Sequence, residues 1–400
     1  MRVKRFVFKE LIKELSTKSV LILIGPRQVG KTFLMNQLKD YLTKKNKRTK
    51  YFNLEIPRDS RLFAKDIVEL YDEITKNIDY LFIDEFHYLE NASKLFKAIF
   101  DDTDLKIKII ASGSSSLEMH KHLKESLAGR KEEKVIYPLT YTEFKQTQKS
   151  FSEYLTYGGL PGLLHVKESN KKINLINNLL ETYILKDIKG LIKEENISAF
   201  NNLLYLIADY QGQIVSTSSL ANELRVDNKT VESYLNILEK TFVLYPLFSY
   251  SGNLSNELKK SKKYYIYDLG IRNAILNDFE NLKNRKDKGI VYESCIHNYI
   301  RFKSPKNSEL RFWRTKKGDE IDFVYLKNRK PYIIEVKSKL NSAETPKAFH
   351  KFINNYPNTQ RAFVINENLE EKITLKNIDI EFIKLENLET NKTFNSIFSN

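Results

Sequence analysis

Three features of this sequence predict an α/β fold. An apolar run, Val20-Leu21-Ile22-Leu23-Ile24, leads straight into Gly25-Pro26-Arg27-Gln28-Val29-Gly30-Lys31-Thr32. Helix-like and strand-like segments alternate after it. A second apolar strand, Tyr80 to Ile83, ends in Asp84 and Glu85. Strands that are apolar throughout are buried on both faces, and helices joining them make the sheet parallel. In order, Phe33 to Leu42 reads as helix, Lys50 to Leu54 as strand, Ile67 to Ile74 as helix, Ile78 to Asp84 as strand and Ile107 to Ala111 as strand.

The segment Gly25 to Thr32 fits G-x-x-x-x-G-K-[ST] completely. Its two glycines let backbone N–H groups curl around phosphate oxygens. Lys31 neutralises the outer phosphates, and the Thr32 hydroxyl holds magnesium at a helix N-terminus. These residues therefore predict a site for a nucleoside triphosphate with Mg²⁺. Asp84 is the expected partner of that magnesium, and Glu85 is placed to orient and deprotonate an attacking water.

Four hundred residues exceed one compact core, so two to four domains are expected. The formal charge of +15 favours a polyanionic partner such as nucleic acid, although Lys, Asn and Ile are abundant throughout and discount that signal. A single cysteine, Cys295, excludes an intramolecular disulfide and fits a reducing cytosol. Lys9, Glu10, Lys13 and Glu14 interrupt any signal-peptide core, and no apolar run approaches the ~20 residues that cross a bilayer. A cytoplasmic protein with no membrane contact is the expectation. The six histidines show no metal-ligand spacing and read as surface or packing residues.

Beyond the Ile107 to Ala111 strand, Ser112-Gly113-Ser114-Ser115-Ser116 offers hydroxyls to a γ-phosphate or its water, or else a helix cap. Arg130 offers a charge to a phosphoryl-transfer transition state, or else is an exposed arginine after a glycine turn. Acting across a subunit boundary, it would require an oligomer.

Taken together, GPRQVGKT, LFIDEFHYL, ASGSSSLEMHKHLKESLAGR, YPLTYTEF and YGGLPG resemble the AAA-type ATPases of bacteria and archaea whose C-terminal half is an uncharacterised domain with a restriction-endonuclease-like core. The likeness spans most of the chain. It implies ATP binding by Gly25 to Thr32, magnesium and water chemistry at Asp84 and Glu85, a sensor position among Ser112 to Ser114 and a functional arginine at Arg130.

Leu139 to Leu191 reads as a small helical lid, broken by the turn Tyr157-Gly158-Gly159-Leu160-Pro161-Gly162, which lacks a following Lys-Thr and is taken as a connector. Ser218 to Leu224, a turn at Val226-Asp227-Asn228, and Thr230 to Leu238 have the shape of a helix-turn-helix. Val231, Tyr234, Leu235 and Leu238 form its apolar face. Phe242 to Ser249 and Tyr264 to Tyr267 would form a wing around Lys259, Lys260, Lys262 and Lys263, which either touch phosphates or are a solvated charge run. The outer face of the second helix carries Glu232 and Glu239, which would repel phosphate and argue against base-specific reading.

Near the C-terminus, Glu320 to Leu326 and Tyr332 to Lys337 alternate as strands across a Lys327 to Lys330 link. Pairing Leu326 with Pro331 sets Asp322 opposite Glu335 and Glu320 opposite Lys337. Opposed carboxylates call for a cation, and magnesium on Asp322 and Glu335, with Lys337 beside a phosphate or water, is the chemistry of phosphodiester hydrolysis. The alternative is a surface hairpin in which Lys337 pairs with Glu320. Asp322…Glu335-Val336-Lys337 also matches the PD-(D/E)XK nuclease pattern, and Glu293 lies on an upstream helix where that superfamily often places another acid. No proline directly precedes the first aspartate.

The predicted fold class is thus α/β: a P-loop NTPase parallel sheet (1–138) with helical lid (139–195), a winged helix (196–268) and an α/β restriction-endonuclease-like domain (269–400). Two functions fit it. One is an ATPase that couples nucleotide state to magnesium-dependent action on DNA. The other is an ATP-dependent switch that binds a protein or DNA partner, with the nuclease fold as scaffold.

Overall fold

The computed structural model describes residues 3–89, 92–113, 127–187, 197–251, 262–305 and 308–398. The chain divides into two units. The first comprises Met1–Leu139 with Leu160–Leu164 and Asn236–Val243, and the second the remainder.

The first unit is built on five parallel strands, β1 (Val20–Ile24), β2 (Thr49–Asn53), β3 (Tyr80–Asp84), β4 (Lys108–Ser112) and β5 (Lys131–Val135), in the order β2-β3-β4-β1-β5. Strand alternation sorts the apolar side chains onto two faces. Val20, Ile22, Ile24, Leu81, Ile83 and Ile109 pack with Leu70, Ile74, Leu95 and Phe96 on one face. On the other, Leu21, Leu23, Phe82 and Ile110 pack with Leu34, Met35, Leu38 and Leu42 of the helix Lys31–Thr43. The predicted helices and strands of this region are all present. β5 was not legible, because Lys131-Glu132-Glu133-Lys134 has the charge expected of an edge strand rather than the apolar character of its neighbours.

The second unit holds an eight-stranded mixed sheet, order β12-β13-β11-β10-β9-β8-β6-β7. Its strands are β6 (Leu244–Ser249), β7 (Lys263–Ile266), β8 (Glu309–Arg314), β9 (Glu320–Lys327), β10 (Lys330–Val336), β11 (Arg361–Asn366), β12 (Glu371–Leu375) and β13 (Ile378–Lys384). Leu326 pairs with Pro331 as the alternation requires, but the strands run further than expected and Lys327 pairs with Lys330. The link is therefore two residues, Asn328 and Arg329, both at positive φ (52° and 62°), the signature of a type I′ turn.

Helices Ile197–Asp209, Thr217–Leu224 and Asn228–Lys240 precede the antiparallel β6-β7 hairpin in the predicted order, and Val215 bridges Lys262. Val231, Tyr234, Leu235 and Leu238 are buried as expected. The boundary at 268 does not separate domains, however, because β6 also pairs in parallel with β8 and makes the hairpin part of the large sheet. Lys259 and Lys260 lie outside the described residues. Lys262 sits over the Phe248 ring, 4.6 Å from its centroid, and Lys263 is buried rather than offered on a wing.

Within the expected lid, 139–195, Thr140–Gly159 cluster with the second unit rather than standing apart. The helix Phe151–Tyr157 is joined to the helix Leu269–Ile275, where Asn273 Nδ2 donates to the carbonyl of Thr156 at 2.8 Å. The buried Asp268 carboxylate caps the second helix through the N–H groups of Gly270 (2.8 Å) and Ile271 (3.2 Å) and accepts a third bond from Gly159 N–H (2.8 Å). A Cβ on Gly158, whose φ is +77°, would lie 2.1 Å from Asp268 Oδ1. Gly158 of YGGLPG thus serves close approach to a carboxylate, and Gly159 supplies one of its N–H donors. His297 is a packing residue as read, stacked on Tyr265 with ring centroids 3.9 Å apart, and burial holds it neutral with its pKa down to about 3. Among the described residues no helix is long and apolar enough to cross a membrane.

Glu389 gives this unit a pH signature. Burial pushes its carboxyl up to about 7 from an ordinary 4.5, against the Thr142 N–H that donates to it at 2.8 Å. A carboxyl raised by folding stabilises below its unfolded value, and that contribution is lost as pH rises through the folded one. The melting temperature of the wild type is expected to fall between pH 4.5 and about 7 by more than that of Glu389→Gln. Parallel melting curves for the two proteins would refute this.

Candidate functional site

Each unit carries a cluster of chemistry-bearing side chains. In the first, the loop after β1 turns at Gly25, where φ is +142° and a Cβ would stand 2.2 Å from the Ile136 carbonyl oxygen. Only glycine fits that approach. Pro26 and Val29 are buried, Arg27 is half-buried and Gln28 is exposed at φ 60°. Gly30 caps the helix that begins at Lys31, and Thr32 is exposed on its first turn. Lys31 folds back over the loop, its Nζ donating to the carbonyls of Gly25 (3.0 Å) and Pro26 (2.8 Å). Burial lowers its pKa to about 8 against the pull of Glu85 and Asp84. An anion arriving at the loop would find this ammonium held by two neutral carbonyls, which are weaker partners than phosphate.

Asp84 ends β3 fully buried. Its carboxylate accepts from the Tyr51 hydroxyl (2.7 Å) and the Ser112 hydroxyl. Glu85 follows at φ 54°, its N–H donating to Ser112 Oγ at 3.3 Å and its carboxylate 3.2 Å from His87 Nδ1. Burial works to raise the Glu85 pKa, but His87 and Lys31 overcome it and the net shift is downward. Ser112 is the strand-end hydroxyl that meets the Asp84 carboxylate and the Glu85 main chain. Ser114 lies outside the described residues.

Arg130 departs from expectation. It stands at the start of β5, where its carbonyl accepts from Val20 N–H, and its guanidinium is paired with Asp101 at 2.9 Å. The loop and Asp84 lie at the opposite, C-terminal ends of these parallel strands, about 16 Å away for five residues at ~3.3 Å each. Within one chain Arg130 does not reach the phosphate loop. Sequence reasoning missed Arg5, whose buried guanidinium donates to the Val29 carbonyl (2.9 Å) and the Tyr137 carbonyl (2.7 Å) and braces the loop from behind. An arginine far upstream of the motif carries no local signal.

In the second unit, β9, β10 and the helix Lys288–Lys303 bring Asp322, Glu335 and Glu293 together. Val336 N–H donates to Asp322 Oδ2 at 2.8 Å, and Asp322 N–H meets Glu335 Oε2 at 3.4 Å. Burial and then the Asp322 charge raise the carboxyls of Glu293 and Glu335, and burial raises that of Asp322. Lys337, exposed to solvent, places its Nζ 2.6 Å from Glu335 Oε1.

Glu320 does not pair with Lys337. It takes Lys263 at 2.7 Å and Arg314 at 3.4 Å. Lys263 also reaches Glu293 at 3.2 Å, and the Tyr265 hydroxyl donates to Glu293 at 2.5 Å. With that ammonium among them, Glu293, Asp322 and Glu335 share a patch without forming a three-ligand set. Among the described residues no group of three or more His, Cys, Asp or Glu is arranged to hold a metal ion. The donors still fit a hard cation: four carboxylates, all oxygen ligands, face the two ammonium groups of Lys263 and Lys337.

Residues 17–145 match the family described as AAA domain. Over that span the chain is similar to AAA domains. This supports ATP binding and hydrolysis at a general level. Beyond the AAA domain, residues 148–282 and 288–386 match two domains of unknown function, DUF8612 and DUF4143. The chain is similar to an uncharacterized protein of Haemophilus influenzae, 27% identical over 340 residues, covering 79% of this chain and 84% of that one. An uncharacterized protein of Methanocaldococcus jannaschii is 27% identical over 383 residues, covering 83% and 79%. Among solved structures, replication initiator DnaA bound to AMPPCP and single-stranded DNA aligns over 58% of this chain and 86% of that one, at 16% identity and TM-score 0.33.

Arg5 and Arg130 make opposite predictions for the first unit. Arg5→Ala is expected to weaken binding of a fluorescent ATP analogue about tenfold, ~1.4 kcal/mol, by loosening the loop. Arg130→Ala is expected to leave it unchanged. An equal loss from both would contradict the positions described above.

Proposed function

We propose that this chain hydrolyses ATP at its phosphate loop and couples nucleotide state to magnesium-dependent action on DNA at the carboxylate cluster of the second unit. The loop Gly25 to Thr32 cradles the phosphates. Lys31 moves from its carbonyl partners to the outer phosphates, and Thr32 and Asp84 hold the ion. Glu85, kept ionised by His87 and Lys31, orients and deprotonates the water. Ser112 serves as the sensor by holding Asp84 and Glu85 together. Arg130 has a catalytic role only toward a neighbouring subunit's nucleotide.

The single observation that carries the DNA half is the convergence of Asp322 and Glu335 on the paired strands β9 and β10, Lys337 just past β10, and Glu293 from the upstream helix Lys288–Lys303. Asp322 and Glu335 would hold a divalent ion, which when bound neutralises charge on a phosphodiester and lowers the pKa of a water. Lys337, exposed and next to Glu335, faces the scissile phosphate. The helices from Ile197 to Lys240 with the β6-β7 hairpin support a winged helix, and the mixed sheet with Asp322…Glu335-Val336-Lys337 supports a restriction-endonuclease-like core.

A second reading, an ATP-dependent switch on an inactive nuclease scaffold, is favoured by exposed Glu232 on the helix a winged helix would present to DNA. Two measurements separate them. Glu85→Gln is expected to retain ATP and lose turnover by about 100-fold or more, with DNA altering the wild-type rate. Plasmid incubated with ATP and Mg²⁺ is expected to be cut by the wild type and not by Glu335→Ala. No cutting by the wild type would favour the switch.

A further inference from the structure

Lys263 is one of the most deeply buried cations of the second unit, 1% exposed, and nothing in the sequence set it apart from the wing lysines around it. An ammonium taken out of water is destabilising unless carboxylates and hydrogen bonds compensate it. Here Glu320 at 2.7 Å and Glu293 at 3.2 Å do so from two different elements, with Asp322 adding to the same field. The Tyr265 hydroxyl donates to the Glu293 oxygen that Lys263 meets, so Glu293 already has two donors. The Asp322 carboxylate accepts from Val336 N–H and that of Glu335 meets Asp322 N–H, both main-chain donors, and the ammonium that touches Glu335 is that of solvent-exposed Lys337.

We propose that the Lys263 ammonium is the permanent counter-cation of this cluster: it reserves Glu293 and Glu320, so that the cluster takes up one divalent ion, on Asp322 and Glu335, rather than two. Lys263 is then a positioning residue. It fixes where the ion sits and keeps the upstream glutamate from acting as a ligand. The inference rests on the cation site argued under Proposed function and adds its stoichiometry.

The test is Mn²⁺ binding to the full chain without nucleotide, in an Asp84→Asn background that silences the phosphate loop, counted by calorimetry and by the loss of the free-ion spin resonance signal. One ion is expected for the parent protein and none for Glu335→Gln. Lys263→Met, which frees Glu293 and Glu320, is expected to bind two. Glu293→Gln is expected to keep one, and it decides the matter should Lys263→Met fail to fold. Two ions on the parent, one on a folded Lys263→Met, or none on Glu293→Gln would each overturn the inference while leaving a cation site in place. No ion on the parent would overturn the cation site itself.

Discussion

A carboxylate removed from water must be met by donors or by a cation, and this constraint organises both units. At the end of β3 it is met by hydroxyls: Tyr51 and Ser112 donate to Asp84, and Ser112 in turn accepts from Glu85 N–H. In the second unit four acids stand close together, where hydroxyls and backbone N–H groups are too few, and Lys263 and Lys337 are drawn in. The difference is one of charge density. A single buried acid is satisfied by neutral donors, whereas several in one patch need positive charge.

The same constraint explains why the second unit is one body. Asp268 is buried with three backbone N–H partners from two segments, Gly159 on one side and Gly270 and Ile271 on the other. Gln211, fully buried, accepts from Ile266 N–H at 2.7 Å and donates to Ser294 Oγ at 2.6 Å, tying the helical segment to β7 and to the helix that carries Glu293. Satisfying these polar groups stitches residues 140–159 and 197–235 to the large sheet, and the first unit keeps its own two-faced core.

What was legible depended on locality. The phosphate loop, β3 with its acids and the β9-β10 register could be read because each is specified by neighbours in sequence: glycine spacing, apolar runs and strict alternation. The charged edge strand β5, the brace from Arg5 and the merger of the hairpin with the sheet could not. Each depends on a partner distant in the chain, such as the Tyr137 carbonyl for Arg5 or β8 for β6.

By itself, then, the sequence determined the chemistry each segment can offer: a phosphate-binding turn, a carboxylate ending a buried strand, and a hairpin with Asp322 across from Glu335. Only the tertiary structure decided which charges meet. It carried Arg130 to the far end of the sheet, gave Glu320 to Lys263 instead of Lys337, and set a buried ammonium among the acids. The physical reason is that pattern and propensity act over a few residues, while the desolvation of a charge is answered by whatever the fold brings within about 3 Å.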